Sequence, residues 1–243
     1  MSEFFNALGF LTVFPVGRKE NFSFERMVVF FPLVGLVYGG IVFGWVKVAE
    51  WFLFPEQVVV WGMVAIPLFV NGFLHFDGWC DSWDALLPVA SSERRLEILK
   101  DSRIGVFGMS MGVLLLLLRV AVYPFVMRAM DGAWVDWVVS RGVMVLMAYG
   151  ARYPRSSGTA LGLVGKVSVF SLLFVLGEMI TALGVACLIK GSLAPFWIGG
   201  VVGVGMVGLR SFASRRLGGI TGDILGAAAE LSEVLAACVW GML

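Results

Sequence analysis

Seven apolar runs divide the chain, at about residues 27–50, 58–75, 108–127, 134–150, 167–189, 194–209 and 222–242, and they restrict its fold more than any motif does. A helix crossing the hydrocarbon core of a bilayer needs about 20 largely apolar residues, because lipid offers no partner to an open backbone N–H or C=O. The fourth and sixth runs are short. The seventh, GDILGAAAELSEVLAACVWGM, carries three acids on one side and reads equally as a spanning, a buried or a re-entrant helix. Hydrophobic residues make up 59% of the chain and charged residues 14%, which excludes an ordinary soluble domain. The expectation is an all-α, polytopic integral membrane bundle of six or seven transmembrane helices, folded as a single domain over residues 1–243.

Lysine and arginine alternate between the connections. Segments 15–26, 76–107, 151–166 and 210–221 hold thirteen of the 18 basic residues, whereas the alternate connections hold only Arg128 and Lys190. By the positive-inside rule the long polar loops face the cytoplasm of a multi-pass protein in the cell inner membrane. The net charge of +1, with no basic stripe interleaved with aromatics, argues against a nucleic-acid partner. The partners expected are the lipid bilayer and small molecules, and the sequence permits a homo-oligomer. Cys80, Cys187 and Cys238 form no CxxC pair, so zinc or a redox couple is not expected. The start, MSEFFNALGFLTVFPVG, lacks a basic leader and reads as an amphipathic entry helix ending at Pro15.

Polar chemistry is concentrated between Asn71 and Gly108. Asp77, Asp81 and Asp84 fall at i, i+4 and i+7, within about 60° of arc on an α-helix. A solvated helix face would mix such acids with lysine or glutamate, but these alternate with Trp79, Cys80, Trp83 and Leu86. A hard divalent cation, Mg²⁺ foremost, would neutralise the stripe and keep sites for substrate phosphates. Downstream, Glu93, Arg94, Arg95 and Glu97 read as a solvated face. Lys100, Asp101 and Arg103 directly precede a glycine-bounded return to the membrane, a combination suited to a pyrophosphate. His75, the only histidine, would point about 160° from the aspartates on a continuous helix. It serves as a base only if the backbone breaks at Gly72 or Gly78.

Lys47, Arg119, Arg141 and Glu178 lie inside predicted spans. Lys47 and Arg119 are expected to snorkel to an interface. Arg141, with the loop residues Arg152 and Arg155, either lines a cytoplasmic cavity holding a second anionic substrate or acts as a positive-inside anchor. In the last run Asp223, Glu230 and Glu233 share about 80° of one helical face. Gly218, Gly219 and Gly222 let that helix begin close against a ligand, where its N-terminus favours phosphate and Asp223 joins the first cluster.

HFDGWCDSWDAL, KDSRIGVFG and LGGITGDILGAAAELSEV, with FLTVFPVG and FFPLVGLVYGG nearer the start, resemble the cobalamin synthase family from about residue 5 to residue 240. Its members, the cobalamin 5′-phosphate synthases, are also called adenosylcobinamide-GDP ribazoletransferases. The resemblance implies a Mg²⁺-dependent inner-membrane enzyme that joins adenosylcobinamide-GDP to α-ribazole or its 5′-phosphate and releases GMP. It also implies that HxDGxxDxxDAL falls on His75, Asp77, Gly78, Asp81, Asp84, Ala85 and Leu86, with His75, Asp77 and Asp81 as catalytic candidates. The metal ligands would be Asp77, Asp81 and Asp84, with Asp101 and Asp223; Lys100, Arg103, Arg141, Arg152 and Gly222 would hold the substrates' phosphates. Trp79, Cys80 and Trp83 depart from the smaller residues of that pattern. A CDP-alcohol phosphotransferase is the nearest alternative, but the arginine of its DGxxAR opening is missing here. A cation transporter ranks third, since its acids would lie mid-bilayer.

Overall fold

The computed structural model describes residues 2–16 and 23–242, so Gly17, Arg18 and Lys19 of the first basic segment fall outside the described residues. The secondary structure is helical throughout, with no strand among the described residues. The helices are α1 (Ser2–Leu11), α2 (Phe24–Met27), α3 (Phe31–Trp51), α4 (Glu56–Val70), α5 (Leu74–Leu86), α6 (Ser92–Ile98) and α7 (Val106–Arg128). They continue with α8 (Met130–Ala133), α9 (Val135–Ala148), α10 (Val169–Lys190), α11 (Phe196–Leu217) and α12 (Gly222–Trp240).

Local chemistry sets these boundaries. Pro32 occupies the first turn of α3, where its missing N–H costs nothing. The Ser168 hydroxyl accepts the Ser171 N–H to start α10, and Gly191, at φ +61°, closes its last turn. Gly218, at φ +75°, ends α11 in the same way. Helix α1 stops at Leu11, before the Pro15 expected to end it, and the Thr12 hydroxyl turns back onto the Leu8 carbonyl at 2.6 Å.

Among the described residues, four segments are long and apolar enough to cross a membrane: Phe24–Trp51, Val106–Arg128, Val169–Lys190 and Phe196–Leu217. The bent pair α4 and α5 is a fifth if it counts as one span. Fewer helices meet that length and apolarity than the six or seven spans expected, for three reasons. The 58–75 run turns through 88° between α4 and α5. Helix α9, at 14 residues, is only about 21 Å long. Helix α12 keeps its acids because other helices surround it. Both α9 and α12 are buried along nearly their whole length, so their apolar residues meet protein instead of lipid.

Close packing follows the glycines. A side chain at Gly35 would strike the Trp137 backbone, and one at Gly39 would lie 2.8 Å from the Trp134 carbonyl oxygen, so α3 and α9 touch main chain to main chain. Inside this bundle, Arg119 of α7 lies 2.7 Å from carboxylate oxygens of both Glu230 and Glu233, and Arg141 of α9 pairs with the other oxygen of Glu233. Ser140 donates to Glu233 at 3.2 Å, and the Arg141 guanidinium lies 4.1 Å from the Tyr38 ring centroid. Arg119 and Arg141 are both 0% exposed. Arg119 therefore does not snorkel, and Arg141 lines no open cavity. Each is consumed by glutamates of α12, which a buried charge requires. Lys47 is exposed and pairs with Glu50 at 2.9 Å.

Candidate active site at the α5 and α12 crossing

The site begins with a break in the chain. Gly72 and Phe73 both adopt left-handed conformations, at φ +61° and +62°, and this turns α5 away from α4. Such a conformation is costly for phenylalanine and persists only where its surroundings impose it. Here the Phe73 N–H bonds the Leu68 carbonyl at 2.8 Å and the Phe73 carbonyl accepts the Asp77 N–H at 2.8 Å, stitching the two helices across the bend.

Two glycines then let α5 lie against α12. A Cβ on Gly78 would lie 2.9 Å from the Asp223 carbonyl oxygen, and one on Gly226 would lie 3.2 Å from the His75 Cα. The backbones meet there, which places Asp77 and Asp81 near enough to Asp223 for its charge to act on both. At the far end of α5, Arg95 donates to the carbonyls of Ala85, Leu86, Pro88 and Ala90, while Arg216 donates to that of Leu86 at 2.7 Å. Cations at a helix C-terminus satisfy its last carbonyls. Arg95 is accordingly buried and is not part of a solvated face. Trp79, Cys80 and Trp83 face neighbouring helices: the Trp79 indole donates to the Met111 carbonyl at 2.9 Å, Cys80 fills the space beside Gly112, and Trp83 tilts onto Phe212.

The aspartates divide into two groups. Asp77 is exposed and Asp81 half-buried, and neither carboxylate has a hydrogen-bond or ion-pair partner among the described residues. Asp84 is buried, and its two oxygens accept the Gly105 N–H at 2.6 Å and the Gly108 N–H at 2.7 Å. It caps the start of α7, where a carboxylate suits both the open amides and the dipole. Gly105 and Gly108 leave room for it, since a side chain on either would strike the carboxylate. Asp101 is likewise engaged. Arg103 donates to it at 3.0 Å and 3.2 Å through Nε and at 2.7 Å through Nη2, which holds its carboxyl down at about 2. Its charged neighbours are Arg103 and Arg94, not the α5 aspartates.

Asp223 sits half-buried at the start of α12. Arg155 contacts its carboxylate at 3.0 Å and the Thr221 hydroxyl donates to it at 3.1 Å. Arg155 also donates to the Leu99 carbonyl at 3.0 Å, so one guanidinium ties the loop after α6 to α12. Arg152 is exposed; its carbonyl accepts the Ile220 N–H at 2.9 Å, leaving the guanidinium free to reach outward. Lys100 is exposed next to Leu99. Gly222 opens α12 beside Ala160 and Thr159 and lines a cavity of about 80 Å³ shared with His75, Asp77 and Asp223. The backbone break at Gly72 lies ahead of His75, which remains on α5, buried, with neither ring nitrogen partnered. Arg141, buried with Glu233, is not part of this site.

Among the described residues no three acidic, histidine or cysteine side chains converge as a closed metal-binding group. The donor chemistry still fits a hard cation. Asp77 and Asp81 are unpartnered oxygen donors beside Asp223, the kind of incomplete set that Mg²⁺ accepts when waters and phosphates fill its remaining positions.

The cobalamin-5-phosphate synthase family profile matches residues 3–241. The chain belongs to that family. A cobalamin-5-phosphate synthase fold therefore carries the α5 and α12 crossing described above. Named adenosylcobinamide-GDP ribazoletransferases are similar along nearly the full length. The one from Klebsiella pneumoniae (strain 342) is 32% identical over 249 residues, covering 97% of both chains. That of Deinococcus radiodurans is 33% identical over 248 residues, covering 97% of this chain and 84% of the relative. That of Clostridioides difficile (strain 630) is 31% identical over 256 residues, covering 97% and 95%. No solved structure matches the chain. Sequence reasoning named Arg155 only together with Arg152, as loop cations that could hold an anionic substrate, and did not foresee its contact with Asp223. Nothing in ARYPRSSG distinguishes it from Arg152, and only the packing of that loop against α12 does so.

Proposed function

We propose that this member of the family is an adenosylcobinamide-GDP ribazoletransferase of cobalamin synthesis, joining adenosylcobinamide-GDP to α-ribazole or its 5′-phosphate at the cytoplasmic rim of the cell inner membrane. The observation that supports the reading is the glycine-mediated crossing of α5 and α12, which brings Asp77 and Asp81, whose carboxylates have no partner among the described residues, within electrostatic reach of Asp223. Asp77, Asp81 and Asp223 would hold Mg²⁺, which when bound would supply charge neutralisation for the pyrophosphate. The ribose 3′-hydroxyl of α-ribazole attacks the cobinamide-proximal phosphorus, an O–P bond forms, the O–P bond to GMP breaks, and GMP leaves with the electron pair. The hydroxyl proton passes to a carboxylate of the Asp77 and Asp81 pair or to His75 across the shared cavity. Lys100, Arg103 and Arg152, exposed around the site, would steady the phosphates, and Gly222 would let the α12 N-terminus approach them.

The cytoplasmic orientation rests on the asymmetry of Lys and Arg, since the loops around this site hold most of them. The test is GMP release by the purified chain in liposomes given adenosylcobinamide-GDP and α-ribazole, with and without Mg²⁺. Mg²⁺-dependent GMP release accompanied by a corrinoid product supports the assignment. CMP release from CDP-diacylglycerol and an alcohol, without the corrinoid reaction, would assign the site to the CDP-alcohol phosphotransferase chemistry instead.

A further inference from the structure

The opposite end of the bundle holds a second built pocket. Arg128 and Lys190 are the two basic residues that break the charge asymmetry of the connections, and they come from different ones, at the ends of α7 and α10. Both line one cavity of about 410 Å³ with Phe125, Ser192, Pro195 and Trp240.

The walls of this cavity are fixed. The Trp240 indole donates to both oxygens of buried Asp136, at 2.9 and 3.1 Å, which locks its ring. Gly132 lies beneath: a Cβ there would be 3.0 Å from the Lys190 Cγ and 3.4 Å from the Trp240 ring, so its absence lets the lysine stem and the indole settle together. Lys190 has no acidic partner among the described residues. Arg128 has one, Glu56, at a long 3.6 Å with both side chains well exposed, and its guanidinium lies 5.8 Å from the Phe125 ring centroid. A pair of that kind is weak and can yield to a better anion. The Ser192 hydroxyl accepts the Ala194 N–H at 3.1 Å and keeps its own proton to donate.

We propose that this pocket binds the phosphate of an anionic phospholipid, at the membrane face opposite the reaction site. Two cations and a hydroxyl recognise a phosphodiester through charge-assisted hydrogen bonds to its oxygens. A lipid, not a free phosphate, is the source, because the rim continues onto exposed apolar side chains: Leu188 at 83%, Leu193 at 76% and Trp197 at 69%. Acyl chains cover exactly such a surface, with Trp197 at the interfacial level that indoles favour.

The experiment is native mass spectrometry of the full chain in detergent, titrated with phosphatidylglycerol, phosphatidylcholine and glycerol phosphate. Phosphatidylglycerol should be retained about tenfold more tightly than phosphatidylcholine. The Arg128→Gln/Lys190→Gln double variant should lose that preference, Lys190→Arg should keep it, and Lys47→Gln, which removes another cation from the same end, should leave it unchanged. Equal retention of the two lipids, or a preference that survives in the double variant, would overturn the proposal. Displacement by glycerol phosphate at matching concentration would overturn the lipid as the source. Melting curves of each variant identify any loss that comes from misfolding, in which case the single Lys190→Gln variant decides.

Discussion

Two charged layers of this protein use the same residue types to opposite ends. In the interior, Arg119, Arg141, Glu230 and Glu233 are sealed from solvent, and cation meets carboxylate. At the rim, the carboxylates of exposed Asp77 and half-buried Asp81 have no partner among the described residues, beside Asp223, which Arg155 contacts from a loop. A buried charge that lost its partner would be intolerable, so the interior set has been completed. The rim set is left incomplete, at a cost water can bear, and an incomplete oxygen set beside basic loops is what phosphate chemistry needs. Burial, not residue type, separates the two sets.

The contrast can be broken from either side. The largest effect should come from the interior: Glu233→Ala leaves two guanidiniums buried and underpaired, and should destabilise the fold by about 3–5 kcal/mol, read as loss of folded protein in thermal or denaturant unfolding. Next, Asp81→Asn should lower GMP release by about 100-fold while leaving the melting curve near that of the parent. If stability fell as far as activity, the two layers would not be distinct. Arg155→Ala should have an intermediate effect of about tenfold on turnover, because Asp223 and the Leu99 loop lose their common tie. Arg155→Lys, which cannot reach both partners in a fork, should restore little of it.

The smallest effect concerns pH. The carboxyl of Asp101 is held at about 2 by Arg103, below its unfolded value, so its contribution is fully present above about pH 4 and is lost only as pH falls through about 2. Asp101→Asn should therefore leave the activity profile unchanged in shape between about pH 6 and pH 9, measured under saturating substrate. A shifted profile would place Asp101 among the titrating groups of the reaction.

The division between the layers was only partly legible in the sequence. The i, i+4, i+7 spacing of Asp77, Asp81 and Asp84 put them on one face of a helix, and a helix is there. Which oxygens stay free was not legible, because the partners that occupy Asp84 are amides 21 and 24 residues away, delivered by the packing of α7 against α5. Arg119 looked like a snorkelling residue for a similar reason: its glutamates come from α12, 111 and 114 positions later. The expected span count and the number of long apolar helices differ where an apolar helix meets other helices, since hydropathy is the same for a lipid-facing and a buried helix. Helix α9 and helix α12 are the two cases, and the turn at Gly72 and Phe73 is the third departure, set by left-handed backbone that the run of apolar residues does not announce.

The central claim is that carboxylates from α5 and α12 share a cation while Asp84 serves the scaffold. Mn²⁺ binding, followed by electron paramagnetic resonance on the purified chain in detergent, tests it most directly. Bound Mn²⁺ should weaken at least tenfold in Asp81→Asn and in Asp223→Asn and persist in Asp84→Asn, whose change should appear in the melting curve. Unaltered Mn²⁺ binding in both of the first two variants, or its loss in Asp84→Asn alone, would contradict the claim.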